Sequence, residues 1–426
     1  MKLPRLPDWA WLLAILAGAL ALRVVTLGRA DLWTDEIQTL HAVGLGWGEM
    51  VRERLHAGHG PLYFVIEKAW CSIAGTSQFA LRLPAAVFGV ALLVPLWSLA
   101  RRLLGRPAAW WAAVFAACHP LLVELSREAR MYSLLALAAL VVTDRAAATL
   151  DGERPGPRFW IAAAAGPFVH ATWGFALLCV AVWLAFERMS SSPDARRACG
   201  RALAGVIGTL AILVAFLFVV DPQHQVLVRR PWHREAAVFV LRIFTGSDLS
   251  IFHSFLAGAA VVLYWAIFMV LGLVSCPPRA RRLAAGWLIG VPAATVLVGV
   301  AGGVPWGPAR YIQIAAFGAI LVAAAAAGSM DAARGGRAPL FALVLALLTS
   351  LAPVHTQWSD AAARLAGGPS HVVVDDESSR IVLSHYLGRD VHVGAPPAGA
   401  TSWRRAVLRV DGAGRVVEIT DEPRPR

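Results

Sequence analysis

The sequence predicts an all-α integral membrane protein of about 11 transmembrane helices, followed by a small soluble α/β domain. Of its 426 residues, 58% are hydrophobic and only 15% are charged, whereas soluble proteins carry about a quarter charged residues. The apolar residues form repeated runs of roughly 17–22, each long enough to cross a hydrocarbon core as a helix. The runs lack the alternation of membrane β-strands, so we expect helices and not a barrel.

The apolar runs divide residues 1–354 into predicted transmembrane spans. The first run continues past Arg23, which favours an uncleaved span over a signal peptide. The run 159–187 contains Gly166-Pro167 and is too long for one comfortable helix, so it is interpreted as two short helices. The spans outside this run are predicted at residues 9–27, 80–100, 108–122, 131–149, 202–220, 255–275, 283–301, 310–328 and 339–354.

Arginines in the polar connections predict the orientation of the chain. Positive residues concentrate in cytoplasmic loops. With a cytoplasmic N-terminus, every inside connection contains arginine, namely 101–106, 151–158, 188–201, 277–282 and 331–337. The formal net charge is +12, and the tail 356–426 carries nine arginines and nine acidic residues, so the excess lies in the membrane part. Because this distribution reports topology, we expect no nucleic-acid partner.

The predicted outer face receives the segments 28–78, 123–130, 221–254 and 303–309 and the tail 355–426. Within 28–78, two amphipathic stretches, 32–45 and 61–74, are predicted as helices on the membrane surface. The tail predicts strands and one helix, at His371–Asp375, Val391–Val393, Ala406–Val410, Val416–Thr420 and Ser378–Tyr386. We therefore divide the chain into a transmembrane domain, 1–354, and a C-terminal extracytoplasmic domain, 355–426. The five cysteines lack a CxxC spacing, which indicates neither a disulfide framework nor a zinc site.

The strongest candidate site is Leu32-Trp33-Thr34-Asp35-Glu36, directly after the first span. Two adjacent carboxylates beside a tryptophan at a membrane surface cost free energy unless they serve in binding or catalysis. A half-buried carboxylate there can act as a general base on a hydroxyl or an amine. Neighbours on a helix point about 100° apart, so one carboxylate can work while the other is held structurally. A solvated amphipathic helix with an acidic N-terminus fits the same residues equally well.

Two further outer motifs carry candidate residues. In His59-Gly60-Pro61-Leu62-Tyr63, the Gly-Pro pair predicts a fixed turn and a helix start. His59 then lies where it could contact a phosphate or a sugar, although a surface histidine is more common. Arg127 and Arg130 are three residues apart and share a helix face, and Tyr132 follows them. Pairing with Glu124 or Glu128 is the structural alternative to a role in the site.

Basic residues also occur on the outside, where positive charge is not expected. The loop 221–254 contains Arg229, Arg230, Arg234 and Arg242, which favours contact with a lipid phosphate. Nonspecific binding to headgroups explains these arginines as well. Near the outer end of the span 310–328, Arg310 and Tyr311 combine a bidentate phosphate ligand with an aromatic ring. The alternative for Arg310 is that its side chain snorkels to the membrane surface as an anchor. A catalytic role for His170 is not expected.

The order of these motifs, with His119-Pro120 ahead of Arg127, resembles the GT-C membrane glycosyltransferases. The most similar group is glycosyltransferase family 39-like and contains dolichyl-phosphate-mannose protein mannosyltransferases and aminoarabinose transferases. The resemblance covers residues 1–150 well and the later spans more loosely. It implies a GT-C fold and a polyprenyl-phosphate-linked sugar donor. It also implies sugar transfer on the outer face of the bacterial cytoplasmic membrane.

The resemblance also implies roles for the candidate residues. Asp35 would activate the acceptor, with Glu36 as its catalytic neighbour. Arg310 matches a family residue near the donor phosphate, and Arg127, Arg130 and Tyr132 match the loop that lines the site. From the residues alone, Tyr311, His59, Arg229 and Arg230 are predicted as further donor-phosphate ligands, and Trp33 and Tyr63 as further lining residues. One departure concerns Gly60, because the family motif often has two prolines there after a basic residue.

The predicted function is therefore transfer of a hexose or pentose from a polyprenyl-phosphate donor to an acceptor. The acceptor is left open among a glycan, a lipid and a protein. Lipid phosphate is a good leaving group, so no cofactor is expected and a metal ion is not required, although some relatives use a divalent ion. The alternatives are a transporter or flippase for lipid-linked anionic substrates and a non-catalytic membrane scaffold.

Overall fold

A computed structural model describes residues 7–219, 266–295 and 313–334, together with parts of the tail. The described tail residues are 358–366, 372–374, 377–388, 391–393, 402–411 and 414–423. Within these ranges the chain is mostly helical. The prediction for the loop 221–254 and the span predicted at 339–354 lie outside the described residues.

The helices follow one another with short connections. In chain order they are α1 (Asp8–Val24), α2 (Thr34–Gly44), α3 (Trp47–His56), α4 (Leu62–Ala74), α5 (Gln78–Ala91), α6 (Leu93–Leu104), α7 (Arg106–Cys118), α8 (Pro120–Leu125), α9 (Tyr132–Thr149), α10 (Pro157–Ala165), α11 (Trp173–Met189), α12 (Pro193–Val219), α13 (Ala266–Ser275), α14 (Pro278–Ala285) and α15 (Ile314–Arg334). A 3-10 turn, Gly166–Phe168, precedes α11, and a π-helical turn, Gly286–Gly290, follows α14.

Three of the described helical stretches are long and apolar enough to cross a membrane. They are Gln78–Leu104, Tyr132–Thr149 and Pro193–Phe216. The first combines α5 and α6, which are interrupted at Leu92. Pro95 explains the interruption, because it has no N–H to donate to the carbonyl of Ala91. The two short helices predicted within 159–187 are present as α10 and α11. The total of about 11 spans stays a prediction.

Small residues allow the bundle helices to approach closely. α7 packs against both α6 and α15, and its contact face contains Ala108, Ala109, Ala112 and Ala116, all buried. A Cβ atom at Gly328 of α15 would lie 2.8 Å from the backbone nitrogen of Ala108. Close backbone approach of this kind is a common way to associate helices in membranes, where apolar burial does not drive association.

Charged residues collect at two opposite ends of the bundle. At one end, Arg102 binds Asp151 at 2.7 Å and Glu153 at 2.9 Å, and Arg282 binds Glu187 at 2.6 Å. These residues lie in or next to the connections predicted to be cytoplasmic. The other end contains α2, α3 and α4 and the loop 126–131. The assignment of the connections to two sides, inferred from arginine, thus agrees with the separation of these charged residues. Which of the two ends faces the cytoplasm stays a prediction.

The end that contains α2, α3 and α4, named the outer end after its predicted orientation, contains one helix that the sequence did not predict. Helices α2 and α4 confirm the amphipathic stretches predicted at 32–45 and 61–74. Between them, α3 has few apolar residues and so gives little periodic signal. It nevertheless buries Met50 and Arg54 against the rest of this end.

The described part of the tail forms a mixed sheet with two helices. Helix α16 (Trp358–Ala366) precedes β1 (Val372–Val374), and helix α17 (Glu377–Leu387) precedes β2 (His392–Val393), β3 (Ser402–Asp411) and β4 (Gly414–Pro423). The strand order is β2-β1-β3-β4, with β1 parallel to both neighbours and β3 antiparallel to β4. Each of the four predicted strands and the predicted helix is present. Trp358, Leu365, Val374 and Leu383 belong to its separate apolar cluster.

Candidate active site

Glu36 is the most tightly held carboxylate at the outer end of the bundle. It lies in the first turn of α2, and the residue is only 1% exposed. Arg82 of α5 donates from Nε to Glu36 Oε1 at 2.7 Å and from Nη2 to Oε2 at 2.6 Å. The backbone N–H of Ala129 donates to Oε1 at 3.0 Å. These bidentate, charge-assisted bonds fix the start of α2 against α5 and the loop 126–131.

Arg82 also binds the chain that leads into α2. Its Nη1 donates to the carbonyl oxygens of Leu27 and Ala30, at 2.9 and 2.7 Å, and its Nη2 donates to that of Asp31 at 2.9 Å. One guanidinium therefore fixes both the segment 27–31 and Glu36. Arg82 was not among the predicted site residues. The available signal was a charge inside a predicted span, which is rare and often functional.

Asp35 has a different environment from its neighbour. Its side chain is 19% exposed, and Oδ2 lies 4.0 Å from Nε of Arg130. Its backbone carbonyl accepts from Thr39 Oγ1 at 3.0 Å and from Arg130 Nη1 at 3.3 Å. The fold thus places Asp35 at an accessible position beside a buried arginine, while Glu36 points into the protein. The two neighbours thus have different environments, as expected for adjacent residues that point about 100° apart on one helix.

Two buried arginines lie near the same aromatic ring. The Cζ atom of Arg130 is 5.7 Å from the ring centroid of Phe64, and that of Arg54 is 5.3 Å from it. Arg54 is 4% exposed and binds Glu53, but its Nε and Nη1 atoms are buried without a hydrogen-bond partner among the described residues. Burial, together with the charge of Arg130, lowers the pKa of Arg54. A buried site with such cationic groups favours an anion. The sequence analysis missed Arg54 because the polar helix α3 was not predicted.

The histidines and tyrosine of the site approach one another on the same side. The ring centroids of His59 and His170 are 6.4 Å apart, and those of His170 and Tyr132 are 6.1 Å apart. His59 also lies 6.2 Å from the ring of Phe64. His170, for which no catalytic role was expected, therefore belongs to the same cluster as two predicted site residues, His59 and Tyr132. The backbone carbonyl of Tyr132 accepts from Gln313 Nε2 at 2.7 Å, which attaches the start of α15 to this side.

Gly60 explains how the two histidines come together. A Cβ atom built at this position would lie 2.3 Å from the carbonyl oxygen of Phe168 and 2.7 Å from the carbonyl carbon of Val169. The turn 59–61 can pack against the turn after α10 only without a side chain here. The departure from the two-proline family motif thus has a steric reason in this chain.

Replacing Gly60 with Ala is expected to lower the thermal midpoint of the purified protein. The added methyl group overlaps backbone atoms, which cannot move aside as a flexible side chain can. Overpacking of this kind costs about 1–3 kcal/mol. The control is Gly48→Ala in α3, where a Cβ atom meets nothing within 4 Å. Equal midpoints for the two variants would contradict the steric explanation.

Tyr63 and Glu67 form a buried polar group on α4. Both residues are 0% exposed, and Glu67 Oε1 accepts from Cys71 Sγ at 3.7 Å. Burial is the main reason that the pKa of Glu67 is raised to about 8, and the nearby charge of Glu36 raises it further. Burial also raises the pKa of Tyr63. Glu67 is thus protonated at neutral pH.

The raised pKa of Glu67 predicts a pH-dependent stability. A carboxyl whose pKa is higher in the folded state binds more protons there, so stability is full below pH 4.5 and is lost as the pH rises to about 8. Replacing Glu67 with Gln should remove this decline and raise the thermal midpoint by a few degrees at pH 8. The exposed Glu49→Gln variant is the control. A decline that persists in Glu67→Gln would contradict the assignment.

The remaining predicted site residues have varied positions. Arg127 donates from Nη2 to Thr26 Oγ1 and so faces the end of α1. Burial and the charge of Arg82 lower its pKa. The backbone N–H of Trp33 lies 3.4 Å from Glu36 Oε2, at the start of α2. The predicted donor-phosphate residues Arg229, Arg230, Arg310 and Tyr311 lie outside the described residues. Within the described ranges, no group of three or more His, Cys, Asp or Glu residues is arranged to hold a metal ion.

Comparisons with known proteins agree with this architecture. Residues 58–217 match the family model of the dolichyl-phosphate-mannose-protein mannosyltransferases. No curated protein matches the sequence significantly. The fold is similar to that of several solved membrane glycosyltransferases, all with low sequence identity.

Two solved structures with TM-scores above 0.5 illustrate the fold similarity, and a third, with a lower score, is also found. Arabinofuranosyltransferase AftD from Mycobacteria is 18% identical with a TM-score of 0.52, over 91% of this chain and 33% of that one. Oligosaccharyltransferase AglB from Archaeoglobus fulgidus, in complex with an inhibitory peptide and a dolichol-phosphate, is 13% identical with a TM-score of 0.51, over 91% and 64%. ArnT from Cupriavidus metallidurans, bound to undecaprenyl phosphate, is 14% identical with a TM-score of 0.46, over 97% and 98%. This chain therefore spans less than two thirds of the archaeal and mycobacterial proteins.

Proposed function

Because this chain shares the fold of the GT-C membrane glycosyltransferases, we propose that it transfers a sugar from a polyprenyl-phosphate-linked donor to an acceptor. The observation that carries the proposal is the arrangement around α2. A partly exposed carboxylate, Asp35, lies beside a buried arginine, while its neighbour Glu36 is fully engaged. One carboxylate of the pair is thereby partly exposed, in a setting that also favours an anion.

The catalytic base in this proposal is Asp35. It would take the proton from an acceptor hydroxyl or amine as that group attacks the anomeric carbon. The bond between the anomeric carbon and the phosphate oxygen breaks in the same displacement, so the configuration inverts. Glu36 is assigned a positioning role here, because its oxygens already accept from Arg82 and Ala129.

The leaving group in this proposal is a lipid phosphate whose charge develops as the bond breaks. Arg54 and Arg130 are two buried cations beside Phe64, and His59 and His170 lie close by. Fixed cations aimed at developing charge lower a reaction barrier because they need no reorganisation. Arg310, Tyr311, Arg229 and Arg230 are proposed as further phosphate ligands, on the basis of the sequence alone. The dolichol-phosphate bound to AglB supports this class of donor.

The proposed activity can be tested with purified protein and a panel of polyprenyl-phosphate sugars. Release of lipid phosphate is followed by mass spectrometry. We expect release with at least one donor when an extract that contains acceptor molecules is present. The same protein in vesicles is assayed for movement of a fluorescent lipid phosphate across the bilayer. Movement without consumption of donor would favour the flippase alternative. The absence of both phosphate release and lipid movement would favour a scaffold.

Replacing Arg54 with Gln is expected to weaken donor binding by about tenfold to a hundredfold, as expected for loss of a charge-assisted bond. The binding of polyprenyl phosphate is measured by native mass spectrometry. The control is Arg52→Gln, which removes an exposed arginine from the same helix. Equal affinities of the two variants would contradict a role for Arg54 in binding the phosphate.

A further inference from the structure

The tail contacts the same short segment that carries Asp35. The backbone N–H of Leu32 donates to Tyr386 Oη of α17 at 2.7 Å. Asp31 Oδ2 accepts from both the backbone N–H and the Oγ of Ser359, at 2.8 and 3.0 Å. Ser359 lies in the first turn of α16, so Asp31 caps that helix from a distant part of the chain.

An apolar contact joins the same two parts. Ile37 of α2 packs against the tail cluster that contains Leu365, Val374 and Leu383. It also packs against the outer cluster of the bundle, which includes Leu81 and Ala129. Ile37 is thus shared by two clusters that the chain separates by hundreds of residues.

These contacts hold the segment 31–37 from two sides. From the bundle, Arg82 binds the Asp31 carbonyl and the Glu36 carboxylate. From the tail, Tyr386 and Ser359 bind Leu32 and Asp31. Asp35 lies between these attachment points, so its position depends on both. The tail contacts reach Asp31 and Leu32, which precede the first turn of α2.

We infer that the tail is a positioning element of the proposed transfer site, with Tyr386 and Ser359 as its positioning residues. This inference rests on the proposed function for its catalytic consequence. Neither residue is assigned contact with a substrate. Each acts through the backbone of Asp31 and Leu32, which determines where the Asp35 carboxylate lies relative to an acceptor. A displacement of about 1 Å at such a group can lower a rate a hundredfold.

The test compares Tyr386→Phe with Ser384→Ala in the full-length protein. Tyr386→Phe removes the oxygen that accepts from Leu32. Ser384 is on the same helix, and its hydroxyl has no hydrogen-bond partner within the described part of the chain. Hydrogen–deuterium exchange of the peptide containing residues 30–38 is measured first. We expect roughly tenfold faster exchange in Tyr386→Phe only, as for loss of one hydrogen bond, with unchanged exchange in β3 and β4. Unchanged exchange in the 30–38 peptide would overturn the inference.

The second measurement is the kinetics of transfer by the same two variants. For a positioning residue, kcat should fall roughly tenfold in Tyr386→Phe while the KM for donor stays the same. Faster exchange with an unchanged kcat would also overturn the inference, since the segment would then move without effect. If the wild-type protein transferred no sugar from any donor, the proposed function would fail. The exchange comparison would still decide whether the tail fixes the segment 31–37.

Discussion

Replacing Asp35 with Asn is expected to lower the rate of sugar transfer by about a thousandfold, within the usual range for loss of a general base. Asn has nearly the same shape but cannot take a proton from the acceptor. The bonds from Thr39 and Arg130 that involve the Asp35 backbone go to its carbonyl oxygen, so they should persist. Release of lipid phosphate at saturating donor measures the effect.

Two controls separate the loss of a base from other effects of the Asp35→Asn substitution. Glu49→Gln removes an exposed carboxylate from α3 and should transfer at the wild-type rate. Donor binding to Asp35→Asn, measured by native mass spectrometry, should match that of the wild-type protein. Transfer at near wild-type rate by Asp35→Asn would exclude this residue as the base.

Replacing Glu36 with Gln is expected to destabilise the protein by about 3–5 kcal/mol, because it leaves the charge of Arg82 buried without a partner. Gln also presents an amide N–H₂ group to Arg82 and to the N–H of Ala129, which already donate. The thermal midpoint in detergent should fall by several degrees, and transfer should fall with it. Arg82→Met should have at least as large an effect, since the carbonyls of Leu27 and Ala30 lose a donor too.

An exposed ion pair and a double variant test this interpretation of Glu36. Asp194 and Arg197 form an ion pair whose side chains are 83% and 73% exposed, and Asp194→Asn should change the midpoint little. In the double variant Glu36→Gln with Arg82→Gln, the buried charge is gone, so part of the lost stability should return. Full stability of Glu36→Gln alone would refute the structural role.

The bundle could be predicted in outline because apolar runs report membrane helices directly. The amphipathic helices α2 and α4 and the pair α10 and α11 also followed from local patterns. The polar helix α3 did not follow from a local pattern, since contacts that exist only in the folded protein stabilise it. The interruption at Leu92 depends on Pro95, a residue that helices in membranes often tolerate.

The site could be predicted in part, because adjacent carboxylates and arginines near an outer face are visible as motifs. Their partners were not visible, since Arg82 lies 46 positions from Glu36 and inside an apolar run. His170 lies beside His59 because Gly60 permits backbone contact. The spacing of these residues along the chain does not predict this contact. The different exposure of Asp35 and Glu36 likewise depends on which face of α2 the bundle covers.

The alanine contact between α7 and α15 bears on how the molecule can move. Helices whose backbones touch through methyl groups have no intervening side chains that could change rotamer and allow them to slide. Large displacements would open voids along the whole contact, which is unfavourable in a close-packed interior. We therefore expect α7 and α15 to move as one rigid body, and any opening that admits a long lipid chain to occur elsewhere in the bundle.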